Sequence, residues 1–460
     1  MGVGSELRSQ PFFVMRNTPL VVLAISAMLS TPAMAQMACQ PMVGHTGLRD
    51  ARIWIQTKAP CTATLVCWAD SMGNAPTLVK VLPEQKLEEA SANTATFDVG
   101  GLEPGTAYRF QVLVDGERAE TGFDPDLLRF TTQPLWQYRF DPPPFTMAVG
   151  SCVFINEESY DRPGKPYGGG YGIFETIAAT SPDLMLWLGD NVYFREVDWG
   201  SRSGMQHRYS HLRAVPELQQ LLGTCPHYAI WDDHDYGPND SDGSWVHKDW
   251  AATTFGEFWA NPSAGLPDLQ GQGVTTAFQF HDADFFLLDN RTFRVNHGNI
   301  TNAPQVLGKG QVDWLIQALK FSRAPFKFIA VGGQFLSDFA EYENMALYAE
   351  ERDAILDRIE QEDIHGVVFL SGDRHSSELS EVTFADGRKV LDFTCSALTS
   401  STYDHNSEPN SRRVEGTMVG VRNYGTLEIT GPRKERVLTI RTFDAGGEVL
   451  WEHRYAAGDL

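Results

Sequence analysis

The chain of 460 residues carries 59 acidic against 37 basic side chains, a formal net charge of −22. Its length calls for more than one domain, and 42% hydrophobic with 11% aromatic content excludes a disordered or fibrous polymer. The acidic balance excludes nucleic acid and anionic membranes as partners, since like charges repel, so any phosphate chemistry needs local positive charge from bound metals or placed arginines.

Taken in chain order, Met15-Arg16-Asn17-Thr18-Pro19 precedes the apolar run Leu20 to Leu29, and Ala33-Met34-Ala35 follows. A positive region, a short apolar core and an A-x-A site read as a secretory signal over residues 1–35, with Met15 a second plausible start. The run is too short for the ~20 apolar residues of a membrane-spanning helix, and no later stretch is long enough either. The protein is therefore expected to be secreted or periplasmic, with no membrane span after cleavage.

Residues 37–134 show short alternating runs, such as Ala51 to Gln56 and Ala63 to Trp68, between Gly, Pro and Asp turns. This pattern predicts a small β-sandwich. Within it, Leu102-x-Pro104-x-Thr106-x-Tyr108 resembles the fibronectin type III pattern. Cys61 and Cys67 fall on one strand, too far apart to bridge each other. A bridge from Cys39 to either one stays open. Residues 135–144, with Pro142, Pro143 and Pro144, predict a stiff, extended connector.

From Phe145 onward, apolar runs alternate with helical stretches at Tyr171 to Ala179, Gln311 to Leu319 and Tyr342 to Glu362. The alternation argues for a layered α/β domain over residues 145–460. β-rich segments at Val390 to Cys395 and Tyr424 to Ile440 close it. Five of the apolar runs end on a side chain able to hold a metal: Cys152, Asp190 with Tyr193 three residues on, Asp233 with His234, Gln334, and Asp373 with His375. Ligands in open α/β sheets gather beyond the carboxyl ends of the strands, so these five ends predict one site.

The most specific segment is Trp231 to Asp242, where five Asp fall within eleven residues around His234. Carboxylates packed so tightly repel one another unless a cation lies among them. Asp373 and His375 alternate and so share a face of an extended chain. Arg291 and Arg294 follow the apolar run Phe285 to Leu288 and are candidate phosphate ligands. Arg374 is a third.

These motifs together resemble the PhoD-type alkaline phosphatases, members of the metallophosphoesterase superfamily related to purple acid phosphatases. The resemblance rests on Gly150-Ser151-Cys152, Gly189-Asp190-Asn191-Val192-Tyr193, Trp231 to Asp235, Leu288 to Arg294, and Ser371 to His375. It implies an α/β (α+β) metallophosphoesterase sandwich behind an N-terminal all-β, fibronectin-III or immunoglobulin-like domain. It also implies ferric iron (Fe3+) among Cys152, Asp190, Tyr193 and His375, and calcium (Ca2+) among Asp190, Asp233, Gln334 and Asp373. Asn239 and Asp240 would hold a further calcium. The donor types agree: thiolate, phenolate and imidazole suit a transition metal, and Asp and Gln oxygens suit a hard cation. Family members often carry a twin-arginine export signal, from which this chain departs, since Arg8 and Arg16 are separated.

The implied activity is metal-dependent hydrolysis of a small phosphorylated substrate, with a metal-bridging water attacking phosphorus. His234 would contact phosphate or protonate the leaving oxygen, Asp235 would orient His234, and Arg291 would steady the phosphoryl group. Two alternatives keep some of these residues. One is a phosphodiesterase or phospholipase D-like hydrolase on the same site, and the other is a calcium-stabilised binding protein, which would have no use for Cys152, Tyr193 and His375.

Overall fold

The computed structural model describes residue 1 and residues 37–70, 77–119 and 124–460. The expected signal segment, from residue 2 onward, lies outside the described residues. The described residues from 37 to 460 belong to one compact unit.

The first part of that unit carries β1 (Met42–Thr46), β2 (Asp50–Gln56), β3 (Cys61–Ala69), β4 (Thr77–Val81), β5 (Gln85–Leu87), β6 (Thr94–Gly100), β7 (Ala107–Val114), β8 (Glu117–Arg118) and β9 (Arg129–Thr131). One sheet runs β1-β2-β6. The other runs β4-β3-β7-β8, with β5 on β3 and β9 on β7. Alternate residues such as Ile53, Ile55, Leu65, Phe97, Phe110 and Val112 meet in a shared core, as the period-2 pattern requires. Cys61 and Cys67 both lie on β3, and all six cysteines are free, so no bridge from Cys39 forms.

The expected straight connector takes another form. Residues 137–139 make a turn, Trp136 is buried, and Arg436 Nη2 donates to Pro143 O at 2.9 Å, so the prolines are pinned to the neighbouring domain.

The remaining elements run from Phe145 onward. The strands are β10 (Phe145–Gly150), β11 (Leu184–Leu188), β12 (His227–Ile230), β13 (Thr276–Phe280), β14 (Ala283–Leu287), β15 (Phe326–Ala330), β16 (Val367–Ser371), β17 (Glu378–Thr383), β18 (Lys389–Thr394), β19 (Asn423–Thr430), β20 (Val437–Asp444) and β21 (Val449–Ala456). The helices are α1 (Ile173–Ala179), α2 (Arg202–Arg213), α3 (Gln219–Thr224), α4 (Asp233–Tyr236), α5 (Lys248–Phe258), α6 (Lys309–Phe321) and α7 (Ala349–Gln361).

Two six-stranded mixed sheets result, ordered β12-β11-β10-β19-β20-β21 and β13-β14-β15-β16-β18-β17. β10, β11 and β12 are mutually parallel, as are β14, β15, β16 and β18. The sheets share one core, built from Met147, Val149, Leu186 and Leu188 on one side and Phe285, Phe328, Leu370 and Phe393 on the other. The intervening residues face outward into two further cores. Met185 and Trp187 pack with α1, α2, α3 and α5, while Ile329 and Phe369 pack with α6 and α7. The result is an α+β domain of helix, sheet, sheet and helix layers, whose strands are buried on both faces and so read as unbroken apolar runs.

The helix expected from Tyr342 starts later, at Ala349. Tyr342 and Glu343 take left-handed φ values of 53° and 63°, which no right-handed helix accepts.

Candidate metal centre

The parallel strands deliver their ends to one edge, and glycines let those ends close on one another. Gly189, at φ 91°, turns the chain sharply out of β11. At Gly372 a Cβ would stand 2.5 Å from Ser151 Oγ and 2.7 Å from Leu188 O, so only glycine lets the end of β16 meet the ends of β10 and β11. The residues that follow are strained. Cys152, Asp190, Asp373 and His375 have φ of 60°, 51°, 67° and 54°, a region that L-residues rarely occupy and that clusters at functional sites.

Ligand atoms of Cys152, Asp190 and His375 lie within 4.8 Å of one another, as do those of Asp190, Asp233 and His234, and those of Asp232, Asp233 and Asp373. Tyr193 OH sits 2.9 Å from His375 Nε2 and 3.2 Å from Asp190 Oδ2. Cys152 Sγ lies 3.6 Å from the same Oδ2 and accepts from Ser396 Oγ at 3.0 Å. Asp190 is thus the common member of two groups. A cavity of about 770 Å³ opens over them, lined by Asp190, Asp233, His234, Asn239, Asp240, Asp373 and His375.

Burial pushes the Asp190 carboxyl well up, and Asp233 and its acidic neighbours add to the effect. Asp373 rises for the same two reasons, burial first and then Asp232. Burial and the Asp190 charge raise the Cys152 thiol and the Tyr193 phenol. Burial brings His375 down to about 4, with His234 adding to it, and burial also lowers His234. His375 is therefore neutral near pH 7, as a metal ligand must be, and burial favours the neutral form of His234 as well. Asp233 goes the other way. Burial acts to raise it, but His234, Arg291 and the Asp240 N–H outweigh burial and keep it ionised.

The Asp-rich segment divides its labour. Asp233 and Asp240 reach the cavity, and Asp242 caps its own turn through Ser244. Asp235 does not orient His234. Adjacent positions on α4 face apart, and the Asp235 carboxylate accepts from Asp232 N at 2.6 Å and from Asn191 Nδ2 at 2.6 Å.

Arg291 and Arg294 also depart from expectation, since neither lines the cavity. Arg291 is fully buried, with Nε 2.6 Å from Asp232 Oδ1 and Nη1 2.9 Å from Glu343 Oε2. Arg294 Nη2 lies 2.8 Å from Glu343 Oε1. These guanidiniums are buried against the carboxylates behind the site instead of facing the cavity, so neither is placed to receive a phosphate there. Arg374 does line the cavity, anchored by both Glu408 oxygens at 2.7 and 2.8 Å and stacked over Tyr342. Gln334 is buried and absent from the cavity lining. Its Nε2 donates to Glu378 Oε1 at 2.8 Å and to Thr394 Oγ1 at 3.1 Å, which leaves its amide oxygen as the donor for a cation.

Three contributors were not anticipated. Glu343 lies within ligand reach of Asp233 and Asp240 and pairs with both arginines. Tyr167 OH sits 3.3 Å from His375 Nδ1, and the Tyr403 ring stacks on His375 at 5.7 Å. All three come from loops with no apolar run before them. The one available signal was the acidic pair Glu341 and Glu343 ahead of a helix.

Comparison with known proteins follows the same outline. Residues 147–433 match the family described as PhoD-like phosphatase, and residues 34–127 match a family described only as a domain of unknown function. Alkaline phosphatase D of Bacillus subtilis (strain 168) is 23% identical over 337 residues, which cover 63% of this chain and 54% of that protein. The chain therefore spans about half the length of this curated relative. A solved structure of PhoD superposes with a TM-score of 0.71 at 16% identity, over 93% of this chain and 92% of that one, a likeness in fold.

Proposed function

The chain belongs to the PhoD-like phosphatase family, and from that premise we propose that it is a metal-dependent phosphate-ester hydrolase working at the Asp190 cluster. The observation that carries this reading is the sharing of Asp190 between a Cys152–His375 group and an Asp233–His234 group, with Tyr193 OH against the first.

The residues fit a pair of cations. Asp232 Oδ2 and Asp233 Oδ1 are buried with no hydrogen-bond partner, and the raised Asp190 and Asp373 carboxyls mark crowded negative charge that a cation relieves. Cys152, Asp190, Tyr193 and His375 would hold ferric iron, since thiolate, phenolate and imidazole favour a transition metal. Asp190, Asp233, Gln334 and Asp373 would hold calcium through oxygens alone. Asp240, with Asn239 and Glu343 beside it, would hold a further calcium. Bound there, the cations supply Lewis acidity, a water of lowered pKa and the positive charge that the −22 chain lacks.

The chain's own groups complete the chemistry. Arg374, held rigid by Glu408, binds a phosphoryl oxygen. Burial favours the neutral form of His234, whose remaining ring N–H can donate a hydrogen bond to a phosphoryl or leaving oxygen, and its ring packs 4.1 Å from that of Tyr193. The signal-like segment supports export, to the periplasm or beyond. The test is turnover of aryl phosphate mono- and diesters before and after chelation. Loss on chelation and recovery with calcium and iron is expected. Unchanged turnover in chelated protein would contradict the reading.

A further inference from the structure

A second cavity, of about 690 Å³, adjoins the first and shares Tyr167, His234 and Asn239 with it. Its lining is largely aromatic, contributed by Phe154, Tyr160, Tyr193 and Trp199 beside the shared Tyr167. Arg162 and Lys165 stand exposed among its lining residues. We propose that this cavity is the subsite for the organic arm of the ester, and that it takes a flat aromatic group, a nucleobase carried on a nucleoside 5′-phosphate. The proposal rests on the hydrolase reading above.

Continuity is the first argument. Tyr193 lines the second space and reaches two residues that line the first. Its hydroxyl touches Asp190 and His375, while its ring packs 5.2 Å from Phe154. An ester whose phosphorus sits over Asp190 has its organic arm beside that aromatic wall. The Phe154 ring meets the Tyr167 ring edge-on at 4.9 Å, so the wall extends without a polar break.

The walls are also preformed. Asn156 clasps Gly168 with two hydrogen bonds, Nδ2 to Gly168 O at 2.9 Å and Gly168 N to Oδ1 at 3.0 Å. The Asp161 carboxylate accepts from Arg195 Nη2 at 2.7 Å and from Glu157 N at 2.7 Å. The Arg195 guanidinium in turn lies 3.8 Å over Phe154. A subsite braced this way needs no ordering when a ligand arrives, which favours a rigid, flat occupant that stacks.

Charge is the third argument. Arg195 is neutralised by Asp161. Arg162 pairs with Glu196 among the described residues, in an exposed pair that an incoming anion can displace. Together with Lys165 it offers an anionic ester a local positive entry on an otherwise acidic protein.

The test compares adenosine 5′-monophosphate with ribose 5-phosphate, which have the same leaving oxygen and differ in the base. Wild-type kcat/KM is expected to favour the nucleotide about tenfold, and Trp199→Leu or Tyr160→Leu to remove most of that preference through KM, leaving ribose 5-phosphate within about twofold. No base preference in the wild type, or an equal fall for both esters in the variants, overturns the subsite. Saturation-transfer NMR with adenosine alone reads the cavity without turnover. Adenosine binding that Trp199→Leu weakens, with neither ester hydrolysed, would keep the subsite and remove the hydrolase reading. Hydrolysis of both esters with no preference and no adenosine signal would do the reverse.

Discussion

At Asp190 a single carboxylate carries most of the site's electrostatic tension. It is buried, raised by burial and by four neighbouring Asp side chains, and held at a left-handed φ. Asp190→Asn keeps the shape and removes the charge. We expect the metal-free variant to unfold at a higher temperature than metal-free wild type, because repulsion is eased, while turnover falls by more than the ~10–100-fold typical of losing a residue that merely supports a ligand. Calorimetry and kinetics on the same preparations check both halves. Asp235 belongs to the supporting class. Asp235→Asn should lower stability by loosening α4 and Asn191, and should leave the pH dependence of kcat unchanged. A shifted pH profile would return Asp235 to the role of orienting His234.

The elements explain what was legible in the sequence. Strand ends at Cys152, Asp190, Asp233 and His375 were readable because the strands are buried on both faces, so apolar runs stop where the sheet stops. Arg291 and Arg294 were misread for a related reason. An arginine after an apolar run looks like a ligand, yet here the run ends in Asp289, whose carboxylate accepts from Trp231 Nε1, Val274 N and Thr292 N and turns the loop inward. Glu343, Tyr167 and Tyr403 were unreadable because long-range loop closure places them, and no local pattern records it. The β11–β12 pair also carries a pH prediction. His227 is buried. Its Nδ1 accepts from Trp187 Nε1 at 3.0 Å, so Nε2 bears the proton and donates to Leu221 O. Burial lowers its pKa from 6.5 to about 3. A depressed folded-state pKa means that the stability this histidine contributes is present above pH 6.5 and is lost as pH falls toward 3. Thermal melts between those limits should fall less steeply for His227→Asn than for wild type.

As a whole molecule, the β-sandwich and the α+β layers share one boundary. Trp54 is buried at that boundary, where its Nε1 donates to Glu257 O at 2.7 Å, its ring lies 5.9 Å from Phe258, and the buried Arg213 guanidinium stands between it and Trp259. Gln56 and Gln206 add cross-boundary hydrogen bonds to Ser210 Oγ and Ala90 O. Trp54→Ala should therefore cost about 3–5 kcal/mol, as a buried tryptophan does in a continuous core, with unfolding still in one transition. A split into two melting steps would mean that the boundary is not cooperative. The central claim concerns the metals, and elemental analysis of the purified protein beside its visible spectrum tests it most directly. One iron with one or two calcium per chain, and a tyrosinate-to-iron band that Tyr193→Phe abolishes, is the predicted result. Calcium alone, or two ions of a single transition metal, would contradict the division of ligands around Asp190.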